Sequence, residues 1–202
     1  MFRRAYAISV YRIIARRSHE FGLLVQGHDE PRGISGENKD RYRVEFLTPN
    51  TGSADYDNQR VPMPALGGIY AQPLRFLDLL LADPVRSVML HRSGVSVTIP
   101  APERYAVHKL IVASRRQDDD NGILKRTKDV SQAQTLMGAL IKTRRQVERA
   151  EVYAEAWRRS PSWKEALTRG LSYLADQHRE GMTNGLAIGL VELGEEAAEF
   201  GL

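Results

Sequence analysis

Apolar and polar positions alternate along this chain in two different rhythms, and the change between them comes near residue 100. Residues 41–48 follow a two-residue period. Tyr42, Val44 and Phe46 fall on one side, Arg41, Arg43 and Glu45 on the other, as in a half-buried strand. Residues 86–92 and 95–99 read as a hairpin around Ser93-Gly94, expected to join the sheet that contains Glu45. From Glu103 the period lengthens: Tyr105, Val107, Leu110, Ile111 and Ala113 recur at helical spacing behind Pro100 and Pro102, and Pro102 suits a first helical turn. Residues 118–122 read as a solvated break, and a second helix is expected to start near Thr127–Asp129. A charged helix over 144–159 turns Val147, Ala150, Tyr153, Ala154 and Trp157 inward. Ser160-Pro161-Ser162 restarts the chain into a helix over 163–175.

The flanks are less regular. Residues 2–20 predict a helix with Phe2, Tyr6, Val10, Ile13 and Ile14 on one side. Arginines 3, 4, 12, 16 and 17 form a basic face, facing either solvent or nucleic acid. A short strand is expected over 23–26. Residues 49–72 read as an irregular connection, and 73–82 as a short helix burying Leu74, Leu77, Leu80 and Leu81. The chain past residue 176 is Gly-rich and acidic and reads as a flexible tail. The fold class expected is α+β, a partial mixed sheet with a helical C-terminal region. Its parts are 1–99 as the α/β core, 100–176 as a helical region and 177–202 as the tail.

Composition narrows the chemistry. With 202 residues and a net charge of +4, the chain favours phosphate-bearing partners without requiring nucleic acid. It has no cysteine, which removes disulfides, thiolate metal sites and a thiol nucleophile. Its five histidines are scattered, against a zinc site. No apolar run approaches the ~20 residues of a membrane span, and the N-terminus lacks the apolar stretch of a signal peptide, so a cytoplasmic protein without membrane contact is expected. No Walker-type loop, G-x-S-x-G elbow or H-E-x-x-H helix occurs.

The candidate chemistry gathers around residues 108–132. Two helices joined by a short loop bring Lys109, Lys125 and Lys128 towards one cleft, a place to hold an anion, with His108 beside them. His108 reads either as a base or as a hydrogen-bonded interior residue, and Lys125 and Lys128 either as phosphate holders or as surface charge. Asp129, with Gln132 three residues on, also has the form of a helix cap. Glu45 is a candidate metal-facing carboxylate or a solvated strand residue. Gly52-Ser53-Ala54-Asp55-Tyr56-Asp57 contains a Gly-Ser turn and an Asp-x-Asp pair. Their spacing is too short to set the two on adjacent elements, and the cluster reads as a loop.

Four blocks carry a resemblance: R-V-E-F-L-T-P (43–49), A-Q-P-L-R-F-L-D-L-L-L (71–81), G-V-S-V-T-I-P (94–100), and P-A-P-E-R-Y-A-V-H-K-L-I-V-A-S-R-R followed by K-R-T-K-D-V-S-Q-A (100–133). In order and spacing they resemble the second half of a bacterial nucleotidyltransferase-fold family, itself distantly similar to abortive-infection and toxin–antitoxin nucleotidyltransferases. The resemblance implies an NTP as substrate, Mg2+ as cofactor and transfer of a nucleotide to a hydroxyl. It assigns catalytic places to Glu45 and Asp129, the metal to Glu45, and nucleotide binding to His108, Lys109, Lys125 and Lys128. The family's opening Gly-Ser turn and Asp-x-Asp hairpin have no counterpart ahead of residue 43, and a single glutamate cannot organise two metals. The chain is therefore expected to be incomplete as an enzyme by itself, or to be a silent binding or regulatory protein such as a toxin–antitoxin-like component. Its open sheet edge is expected to be covered by the N-terminal helix, by self-association or by a partner chain.

Overall fold

A computed structural model of the chain describes residues 35–37, 43–52, 59–64, 69–90 and 93–202. The helix expected over 2–20, the strand over 23–26 and Ser53 to Asp57 of the Gly-Ser cluster lie outside these residues. The chain divides between Ile99 and Pro100 into two compact units.

The first unit holds the strands. β1 (Ser35–Glu37) pairs antiparallel with β2 (Arg43–Glu45), setting Glu45 opposite Ser35. β3 (Leu47–Asn50) runs parallel to β5 (Ile69–Arg75), whose other side takes β4 (Val61–Met63) antiparallel, giving a small mixed sheet. The region expected to be an irregular connection thus supplies two strands. Its prolines obscured them, yet Pro73 costs no ladder bond. Gln72 N–H donates to Phe46 O at 2.8 Å, so the next residue faces the opposite side, where β4 pairing already ended at Ala71. The strand then breaks sharply at Phe76, a buried side chain with φ +67°, into α1 (Leu77–Leu81). The short helix is therefore half as long as expected. Leu74 stays in the strand, and Leu77 and Leu79 are the buried positions.

β6 (Val85–Met89) and β7 (Val95–Ile99) form the expected hairpin, with Gly94 at φ +89° in its turn. Among the described residues it is a two-stranded sheet of its own and does not extend the sheet of Glu45. Its strands are close in sequence, so they pair at little loop-closure cost.

The second unit is helical: α2 (Pro102–Ser114), α3 (Asp120–Lys142), α4 (Gln146–Arg159), α5 (Pro161–Ser172), α6 (Asp176–Glu192) and a closing 3-10 turn (Ala197–Phe200). Its core is Val107, Leu110 and Ile111 of α2, Met137 and Leu140 of α3, Tyr153 of α4, Leu167 of α5 and Leu186 and Leu190 of α6. Two expectations are corrected here. α3 starts at Asp120, well before Thr127, because Asp119 caps it: the Asp119 carboxylate accepts from Gly122 N–H at 2.5 Å. The aspartate run that looked like a solvated break is mostly a helix start, and Asp129 stands mid-helix instead of capping it.

The stretch expected to be a flexible acidic tail is α6, a packed helix. Met182, Leu186, Gly189 and Leu190 repeat at helical spacing and are buried. Phe200 beyond it is buried too, its carbonyl accepting from Tyr153 OH at 3.2 Å. The glycines that suggested flexibility permit close packing. A Cβ on Gly189 would lie 2.5 Å from Gln146 O and 2.7 Å from Ala150 Cβ of α4. No helix among the described residues is long and apolar enough to cross a membrane.

Candidate functional site

α2 and α3 pack against each other, and their contact is pinned by one carboxylate. Asp129, 2% exposed, reaches from the middle of α3. Its Oδ1 accepts from Lys109 Nζ on α2 at 2.7 Å, and its Oδ2 accepts from Arg116 Nε at 2.8 Å, just past the end of α2. Arg116 Nη2 lies 2.8 Å from the same oxygen. A buried carboxylate is tolerable only when paired this fully, since desolvation otherwise costs several kcal/mol. The carboxylate is sealed while its partners reach the surface: Lys109 is 16% and Arg116 34% exposed in their side chains. One negative charge thus holds two cations in place and leaves a net positive spot.

Lys109 Nζ also sits 5.2 Å from the centre of the Tyr105 ring, one turn earlier on α2. Tyr105, Ser131, Gln132, Thr135 and Leu136 line an open cavity of about 290 Å³ along the same pair of helices. Arg126 ties the intervening loop: its Nη2 donates to Arg116 O at 3.1 Å and Gln117 O at 3.2 Å, pairs with Asp118, and its guanidinium lies 4.4 Å from the Tyr173 ring centre.

The residues singled out in the sequence separate on this framework. Lys109 and Asp129 are brought into direct contact. Lys125 and Lys128 are exposed side chains of α3, the latter next to Asp129 in sequence. His108 is buried beside Lys109. Burial first, then the Lys109 charge, lower its pKa to about 4 against the opposing pull of Asp129, so it is neutral near pH 7. Glu45 is the last residue of β2, in the first unit. Arg116 and Arg126 were not singled out. Their signal was faint: an Arg-Arg pair at a helix end, and a basic residue three positions before Asp129.

A divalent metal needs several free oxygens. Both Asp129 oxygens are occupied by cations, and among the described residues no three histidine, aspartate or glutamate side chains gather around a point. These residues do not fit a Mg2+ site.

The small mixed sheet and the helical unit define an α+β chain. A family model described as nucleotidyltransferase matches residues 8–158, most of the sequence, and the chain belongs to that nucleotidyltransferase family. No curated protein and no solved structure matches it.

Proposed function

We propose that this chain binds a nucleoside triphosphate through the cations of α2 and α3, and that alone it holds the nucleotide without transferring it. The observation supporting this is the Lys109–Asp129–Arg116 cluster, which lies within the residues that the nucleotidyltransferase family model matches. In this reading Lys109 and Arg116 meet the phosphates by charge-assisted hydrogen bonds. Asp129 is a positioning residue: it fixes both cations and touches no substrate. Lys125 and Lys128 add exposed charge that draws the triphosphate in. His108, neutral and buried, supports the packing of α2. Glu45 is the carboxylate assigned to the metal, and transfer to a hydroxyl acceptor would need more than this one, because two ions about 3.5–4 Å apart share several carboxylates.

Equilibrium dialysis with labelled NTP tests the binding. Expected is saturable binding that weakens as salt rises. Lys109→Ala should lower affinity by about tenfold or more, the loss of one charge-assisted contact. Lys142→Ala, an exposed lysine at the far end of α3, should leave it unchanged. Equal effects of the two substitutions, or no binding at low salt, overturn the reading. Incubation of labelled NTP with Mg2+ or Mn2+ and cell extract tests the silence. Metal-dependent label transfer that Glu45→Ala abolishes would make the chain an active transferase.

A further inference from the structure

Beside the cation cluster lies a lined space that the phosphate contacts leave unused. Tyr105 and Lys109 are one turn apart on α2, and Asp129 and Gln132 are nearly one turn apart on α3. The step from Lys109–Asp129 to Tyr105–Gln132 therefore runs along both helices, away from the ion pair and into the 290 Å³ cavity. That volume is near the lower limit of small-molecule pockets, roughly 300 Å³, the scale of a single nucleoside. Its lining combines one aromatic ring, one aliphatic side chain, three hydroxyls (that of Tyr105 among them) and one amide. The amide has an unmet need: Gln132 Oε1 is buried with no hydrogen-bond partner among the described residues. An unpaired buried acceptor is costly, and a rotamer change that brings the amide to a donor of a ligand in the cavity would remove that cost.

We infer that this cavity is the base and ribose site of the bound NTP, and that it prefers adenine. The inference rests on the NTP-binding reading above, because the anchored cations say which end of the ligand lies where. The Tyr105 ring offers a stacking face to the base. The Gln132 amide carries a donor and an acceptor side by side, which pair with the ring nitrogen and amino group of adenine. A change of the Gln132 rotamer that moves the whole amide has to bring its buried Oε1 to the cavity before a base can reach it. Ser131 supplies a hydroxyl for the ribose, and the Thr135 hydroxyl, which donates to Ser131 O at 2.9 Å, can only accept from it.

Titrating the full chain with ATP, UTP and inorganic tripolyphosphate separates the two ends of the site. Expected is ATP binding about tenfold or more tighter than tripolyphosphate, the contribution of one stacked base. UTP should fall between them. Gln132→Leu and Tyr105→Ala should each bring the ratio of ATP to tripolyphosphate affinity towards one, while Tyr105→Phe retains it. Thermal unfolding of each variant, run alongside, identifies any that fails to fold, and Tyr105→Phe together with Gln132→Asn, which shortens the amide, then decides. A wild-type ratio near one, or a ratio unmoved by Gln132→Leu, overturns the base site while the phosphate reading stands. Absence of both ATP and tripolyphosphate binding overturns both.

Discussion

At the scale of single residues, neighbours in sequence take opposite roles. His108 and Lys109 are adjacent, yet α2 sends one inward and the other to the edge of a positive spot. The pattern of the chain did not show which way each faced, because a helix turns about 100° per residue and both fell near the boundary of the apolar stripe. For Asp129 the helix-cap alternative fails, because it stands in the middle of α3. Its spacing to Gln132 matched a capping box, while its actual partners, Lys109 and Arg116, are 20 and 13 residues away. Long-range pairing of this sort leaves no local trace. Arg149 left none either. It is fully buried on α4, where among the described residues it donates one long 3.4 Å bond, to Met137 O, and a Cβ on Gly185 would come within 2.6 Å of its Nη2.

His108 gives the residue scale its measurable consequence. Its folded pKa of about 4 lies below the ordinary 6.5, so the fold favours the neutral ring. The associated stability is complete above pH 6.5 and is lost as pH falls through 4, where the unfolded chain has gained a proton that the folded chain resists. A gap of this size corresponds to about 3 kcal/mol for a buried group. Urea midpoints measured from pH 7 to pH 4 should fall steeply in the wild type and more gently in His108→Gln. Parallel profiles would show that His108 is not held neutral in the core.

At the scale of elements, the helices were read better than the strands. A helix of a dozen residues repeats its apolar stripe several times, so α2, α4 and α5 were visible, and Pro102 and Pro161 stand at the starts of α2 and α5. β4 has three residues and β3 four, too few for a period to show, and each contains a proline. Glycine was the harder residue to interpret, since the same letter marks freedom in one place and contact in another. Gly170 on α5 lies against α2, where a Cβ would stand 2.4 Å from Leu110 O. Gly181 on α6 has nothing within 4 Å. Gly170→Ala should therefore destabilise by roughly 1–3 kcal/mol, because backbone must move. Gly181→Ala should stabilise by about 0.5–1 kcal/mol through reduced backbone entropy in the unfolded chain. Denaturant midpoints read both, and shifts of the same sign would contradict the packing described for α5 on α2.

At the scale of the molecule, the division at Ile99 and Pro100 separates a unit of short strands from a unit with a core of its own. The change from a two-residue to a helical period near residue 100 announced that boundary; the far end of the helical unit was not announced. Gly181, Gly185 and Gly189 and the acidic positions near the terminus hid a stripe that closes the core. α6 packs on α4 through Gly185 and Gly189, and the chain beyond it is fastened to α4 by Trp157 Nε1–H donating to Glu199 O at 2.9 Å and by Arg158 pairing Glu195 at 2.6 Å. Met182, Leu186, Leu190 and Phe200 are all 4% exposed or less. Fully burying a side chain of this size contributes about 1.5–3 kcal/mol. Four of them approach the whole stability of a domain, about 5–15 kcal/mol. A chain ending at residue 175 should then lose its cooperative thermal transition and expose Tyr153, whereas a tail attached only at its root could be removed without effect. Circular dichroism melts of the full chain and the truncated one distinguish these outcomes. A sharp transition at an unchanged temperature in the shorter chain would mean that α6 lies on the bundle without completing its core.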